Sequence, residues 1–136
     1  MKRTLLVAAF VAATLTGANA QKVNADKLPK AVKEGFAKQY PHAKTVKWDK
    51  EDADYEASFK HEGKELSVVL NAKGEVQEVE TEISVASLPM AVQEALKGKK
   101  VKEAAEIKKG GKTYYEAEVK GKDLFFDAGG KSVANI

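Results

Sequence analysis

The sequence predicts an α+β fold made of two copies of one unit, each a helix followed by an antiparallel strand meander. Three observations carry this. Blocks from the first half recur in the same order in the second half. Each half opens on an apolar stripe at helical spacing. Each then continues as short runs of alternating polarity separated by turn residues.

The repeat is the strongest signal. Leu28-Pro29-Lys30-Ala31-Val32-Lys33-Glu34 matches Leu88-Pro89-Met90-Ala91-Val92-Gln93-Glu94 at five of seven positions, offset by 60. Tyr55-Glu56-Ala57 matches Tyr115-Glu116-Ala117 at the same offset. Gly63-Lys64-Glu65-Leu66 matches Gly121-Lys122-Asp123-Leu124 at 58, and Ala72-Lys73-Gly74 matches Ala128-Gly129-Gly130 at 56. Each change of offset is a loss of two residues. A loss of one would turn every later side chain to the other face of the sheet; a loss of two shortens a strand and keeps the faces.

In the first helix, Leu28, Ala31, Val32, Gly35, Phe36 and Tyr40 form the apolar stripe. Pro29 suits the first turn, and Pro41 ends the helix because the residue before a proline disfavours the α region. In the second helix the stripe is Leu88, Ala91, Val92, Ala95 and Leu96, with Ser87 as the expected cap and Gly98 as the stop. Strands follow around Val46–Trp48, Tyr55–Phe59, Leu66–Leu70 and Glu75–Ile83. The second unit repeats them at 101–108, 113–120, 123–127 and 131–136, with Ile107 near the place that Trp48 takes in the first. Turns this short give antiparallel neighbours rather than parallel crossovers.

The chain begins Met1-Lys2-Arg3, runs apolar from Leu5 to Leu15 and closes on Ala18-Asn19-Ala20. That is a cleavable signal peptide over residues 1–20, with Gln21 as the expected new N-terminus. The apolar run falls short of the ~20 residues a spanning helix needs, so no membrane insertion is expected after cleavage. Removing the signal leaves 21 basic against 20 acidic side chains, and every basic one is lysine. Neither a one-signed face for nucleic acid nor arginine for bidentate phosphate capture is provided. There is no cysteine, so the remainder relies on its core as a single domain of two repeats, about 26–86 and 87–136.

Leu28-Pro29, Tyr40-Pro41, Val46-Lys47-Trp48, Tyr55-Glu56-Ala57 and Asn71-Ala72-Lys73-Gly74 together resemble the PepSY-like, β-lactamase-inhibitor-like domains of exported proteins. The resemblance spans residues 28–136. It implies that the two units share one curved antiparallel sheet with the helices packed on one face, and it implies binding or inhibition of another protein. The second unit departs from the pattern in having no Tyr-Pro and no Trp.

Chemistry is poorly supplied. Two histidines, His42 and His61, lack metal-motif spacing. The acidic turn from Asp49 fails as a calcium loop: Ala53 and Lys60 stand where oxygen ligands are needed, and Asp54 where the turn needs glycine. No nucleophile elbow exists, and Gly110-Gly111 and Gly129-Gly130 read as hairpin turns. No catalytic residue, cofactor or metal is expected. Trp48, Tyr55, Phe59 and Tyr115 lie in phase with the aliphatic positions and read as core. If Tyr115, Ala117, Leu124 and Phe126 face the helices, then Tyr114 and Phe125 face away, as Val69 does in the first unit, beside Glu56, Glu116 and Glu118. Val69, Tyr114, Glu116 and Phe125 are therefore the candidate partner-binding residues. The reading is an exported, periplasmic or secreted, non-enzymatic module that engages a protein or peptide of the cell envelope. The alternatives are a small exported hydrolase using carboxylates or His42, and a structural envelope component.

Overall fold

The computed structural model describes residues 20–134 and 136, so the expected signal segment lies outside the described residues apart from Ala20. Among the described residues, nine strands form one sheet, ordered as they occur in the chain, with every neighbouring pair antiparallel. They are β1 (Gln21–Val23), β2 (Lys47–Glu51), β3 (Asp54–His61), β4 (Lys64–Leu70), β5 (Val76–Ile83), β6 (Val101–Lys109), β7 (Lys112–Val119), β8 (Lys122–Asp127) and β9 (Ser132–Val133). Helix α1 (Lys30–Gln39) lies between β1 and β2, and α2 (Met90–Ala95) between β5 and β6. The hairpins turn on Glu62-Gly63, Gly110-Gly111 and Lys120-Gly121, each with positive φ at both residues. That is the twist-matched geometry that two-residue hairpins prefer.

Both helices start at the Leu-Pro pair. The Pro29 carbonyl accepts the N–H groups of Val32 and Lys33, both at 3.1 Å, and the Pro89 carbonyl accepts that of Gln93 at 2.9 Å. Ser87 is not a cap. It ends a 3₁₀ turn, Val85–Ser87, and its hydroxyl shares a hydrogen bond with that of Ser84 at 2.6 Å. The sequence reading places no strand before Leu28, yet β1 is there. The repeat accounts for it: at the offset of 60, Gln21–Val23 corresponds to Thr81–Ile83 at the end of β5. Each segment precedes a 3₁₀ turn and a helix, then pairs with the strand beyond that helix.

Each unit has its own core cluster. Leu28, Val32 and Phe36 of the first pack with Trp48, Ala57, Phe59, Leu66, Val68 and Leu70. Leu88, Val92 and Leu96 of the second pack with Ala104, Ala117, Val119 and Phe126. The positions correspond through the repeat, and both changes of offset keep their faces. Phe36 meets Trp48 and Phe59 edge-on at 5.0 and 5.2 Å between ring centroids. One correspondence has to be corrected. Trp48 pairs with Ala57, and Ala104 pairs with Ala117, so Ala104 takes the place of Trp48. Ile107 has the opposite parity and belongs to neither cluster.

The turns after β4 and β8 lock onto the helices. Asn71 Oδ1 accepts the N–H groups of Lys73 and Glu75 at 3.0 and 3.1 Å, and Asp127 Oδ1 accepts those of Gly129 and Lys131 at 2.9 and 3.0 Å. These side chains hold the two turns in the same shape. Gly74 and Gly130 then sit with positive φ directly against the carbonyls of Ala31 and Ala91. Gly35 lets α1 approach the Gly74 carbonyl with no side chain between them.

Candidate interaction face of the sheet

Strand register assigns every side chain to one of two faces. Ala57, Val68 and Val79 pair in one row, and Ile83, Ala104, Ala117 and Leu124 in another. Val79 and Ile83 are an even number of residues apart on β5, so both rows share a parity, and these residues belong to or pack against the two helix clusters. The opposite parity carries Glu56, Val69 and Glu78 in one row; Ser67, Glu80, Ile107 and Tyr114 in the next; and Glu82, Ala105, Glu116 and Phe125 in a third. All four candidate binding residues, Val69, Tyr114, Glu116 and Phe125, thus lie on this second face. Glu116 and Phe125 are direct partners, and Val69 sits toward the other unit, beside Glu56 and Glu78.

The face is less open than its polarity suggests. Val69, Tyr114 and Phe125 are half-buried. Glu56, Glu80 and Glu116 are buried, and so are Ala105 and Ile107, although neither helix cluster includes any of them. Phe125→Ala and Tyr114→Ala should therefore cost stability within the usual range of about 0.5–3 kcal/mol. Phe126→Ala, which empties a site in the second core cluster, should cost about 3–5 kcal/mol. Urea midpoints of the three variants check the order.

Burial raises the carboxyls. Glu80 is pushed up to about 9 by desolvation, then by the charges of Glu116, Glu78, Glu56 and Asp123. Its Oε1 is buried without a hydrogen-bond partner. Glu116 rises to about 8 through desolvation, the charge of Asp123 and a hydrogen bond shared with that side chain. Glu51, at the end of β2, rises to about 7 through desolvation and its neighbour Glu56. Among the described residues, cations reach this face at Lys109, 3.1 Å from Glu78, at Lys60, 3.7 Å from Glu65, and at Lys102, 4.0 Å from Glu118. The sequence reading missed Glu80 and Ile107. The signal for Glu80 was the spacing of Glu78, Glu80 and Glu82, alternating with Val79, Thr81 and Ile83.

A cavity of about 310 Å³ lies by the β6–β7 hairpin, lined by Val76, Val79, Lys108 and Thr113 among others, and none of the raised carboxyls lines it. Among the described residues, no three or more His, Cys, Asp or Glu side chains are grouped to hold a metal ion. His42 is exposed.

A duplicated helix-plus-meander unit on one antiparallel sheet, with a partly buried acidic face, defines an α+β protein. The chain belongs to the PepSY-like, β-lactamase-inhibitor-like family, whose pattern matches it twice, over residues 14–78 and 62–133. No curated protein matches it. Among solved structures it resembles a putative periplasmic protein from Bacteroides eggerthii DSM 20697 at 21% identity and a TM-score of 0.72, covering 79% of this chain and 86% of that one. It also resembles a DUF2874 family protein from Bacteroides ovatus ATCC 8483, at 23% identity and a TM-score of 0.71, over 80% and 86% of the two chains. A third is a BLIP-like protein from Bacteroides fragilis NCTC 9343, at 25% identity and a TM-score of 0.66, over 79% and 84%.

Proposed function

We propose that this chain is an exported, non-enzymatic binding module whose two repeats form one domain, with both helices on one side of the sheet and a protein or peptide partner on the other. The observation that carries the reading is the second face, where half-buried Val69, Tyr114 and Phe125 stand among buried carboxyls that, among the described residues, belong to neither helix cluster. Aromatic anchors flanked by polar groups are how protein interfaces concentrate their energy. Family membership supports a protein partner, as does the likeness to a BLIP-like protein. The likeness to a periplasmic protein and the signal-type N-terminus support action outside the cytoplasm, after cleavage behind Ala20. Among the described residues no helix is long and apolar enough to cross a membrane.

The test is capture from envelope extract with the protein as bait. Tyr114→Ala and Phe125→Ala should each weaken retention of the specific partner about thirtyfold, as loss of an anchor contributing about 2 kcal/mol requires. Retention unchanged by both variants, with folding intact, would place the interface elsewhere.

A further inference from the structure

The second face raises a narrower question: what chemistry its centre is built to receive. Glu80 occupies the middle strand of the sheet, with Ile107 and then Tyr114 beside it in the row. Glu116 lies two strands away, about 10 Å across the sheet, with Phe125 directly opposite it. Glu80 therefore has the apolar Ile107 next to it and Tyr114 one strand further on, and Glu116 has the Phe125 ring directly opposite. Glu80 is 4% exposed, and one of its oxygens has no hydrogen-bond partner, although it points into the acidic face. Native proteins seldom leave such an atom unmatched unless it has a use. What it lacks is a donor carrying positive charge, since Lys109, Lys60 and Lys102 are directed to Glu78, Glu65 and Glu118.

From this juxtaposition we infer that the Glu80–Glu116 patch, flanked by Tyr114 and Phe125, docks a lysine- or arginine-bearing segment of the partner polypeptide. The inference rests on the binding reading above and names the partner's chemistry. Charge complementarity selects the head group, and the rings select its aliphatic stem: an ammonium or guanidinium meets the carboxyl while the methylenes lie over Tyr114 or Phe125. Among the described residues, neither helix cluster includes these carboxyls, so a partner can reach them through rearrangement of side chains on this face.

Docking is coupled to proton release. Before binding, burial holds protons on Glu80 and Glu116 at neutral pH. A cation arriving at each favours the ionised form, so one proton leaves each carboxyl for the solvent as the ion pair forms. Affinity for a cationic segment therefore rises with pH across the range in which the free protein still holds those protons.

The probe is a lysine decapeptide, titrated calorimetrically into the protein at low ionic strength, near pH 6.5 and pH 8.5, in buffers of different ionisation enthalpy. The expected result is affinity at least tenfold higher at the upper pH, with net proton release on binding. Glu80→Gln combined with Glu116→Gln should lose at least tenfold in affinity and abolish the pH dependence. Glu34→Gln and Glu94→Gln, at exposed positions on the helices, should leave both unchanged. Should the double variant fold poorly, the proton count on the unaltered protein still decides. Absence of proton release overturns the inference, as does equal binding by the double variant, or binding of calcium alone with none of the peptide. If capture of an envelope partner depends on Tyr114 and Phe125 but not on Glu80 and Glu116, this inference fails and the binding reading stands. A partner indifferent to all four residues overturns both.

Discussion

Glu80→Gln should make the protein more stable at pH 8 and flatten the dependence of its stability on pH. The sign follows from proton counting. In the unfolded chain a glutamate loses its proton near 4.3, whereas folded Glu80 holds its proton up to about 9. Between those values the folded state binds one more proton than the unfolded state, so stability falls as pH rises, by up to about 1.4 kcal/mol per pH unit for a single such group. The contribution is fully present below about 4.3 and is lost as pH rises through about 9. Glu116, raised to about 8, adds the same slope over a slightly narrower window. Glutamine keeps the shape and removes the titration. Its buried amide still lacks partners, which returns about 1–3 kcal/mol of the gain. The titration contributes about 5 kcal/mol at pH 8 and about 1 kcal/mol at pH 5, so a net stabilisation of about 2–4 kcal/mol at pH 8 that is gone by pH 5 is the expected outcome of urea unfolding at both pH values. Equal slopes for the two proteins would mean that Glu80 is ionised in the folded state.

The other large effect is expected at Gly74. Alanine there meets two penalties at once. The residue has a φ of +80°, which costs a side-chain-bearing residue about 1–2 kcal/mol. Its new Cβ would also fall within van der Waals contact of the Ala31 carbonyl, forcing the turn off α1 at a further cost of about 1–3 kcal/mol. Gly63→Ala is the matched control: φ is +78°, but nothing lies within 4 Å of the added carbon. Denaturant unfolding should show a loss of about 2–5 kcal/mol for Gly74→Ala and about 1–2 kcal/mol for Gly63→Ala. Equal losses would mean that the turn-to-helix contact contributes nothing beyond backbone strain.

These two residues mark the limits of what the sequence discloses. Gly74 was legible as a turn, since Asn71-Ala72-Lys73-Gly74 recurs in altered form as Asp127-Ala128-Gly129-Gly130. Its contact with α1 was not, because close approach of two backbones leaves no side-chain pattern. The facing of Tyr115, Ala117, Leu124 and Phe126 followed from alternation, and the register agrees. The Trp48 correspondence failed for a local reason. The strands after the two helices share no identical anchor, and an irregularity between Val101 and Glu103 shifts β6 against β7. Strand β1 escaped because three residues carry too little alternation to register. Glutamate is seldom buried unpaired, so nothing in composition points to Glu80 as the exception.

The strand order has a kinetic corollary. Every strand pairs with the strands that precede and follow it in the chain, so the longest loops that must close are those carrying α1 and α2. Loop-closure entropy is therefore low for a nine-stranded sheet, and the hairpins of either repeat can form first and recruit their neighbours in turn. Sheets whose partners are distant in sequence wait for a rare encounter while their edges stand exposed. Here the growing sheet carries at most two free edges, and it finishes on strands of three and two residues, β1 and β9. Edges so short offer little template for pairing with another chain, so rapid assembly does not lead on to fibrillar growth.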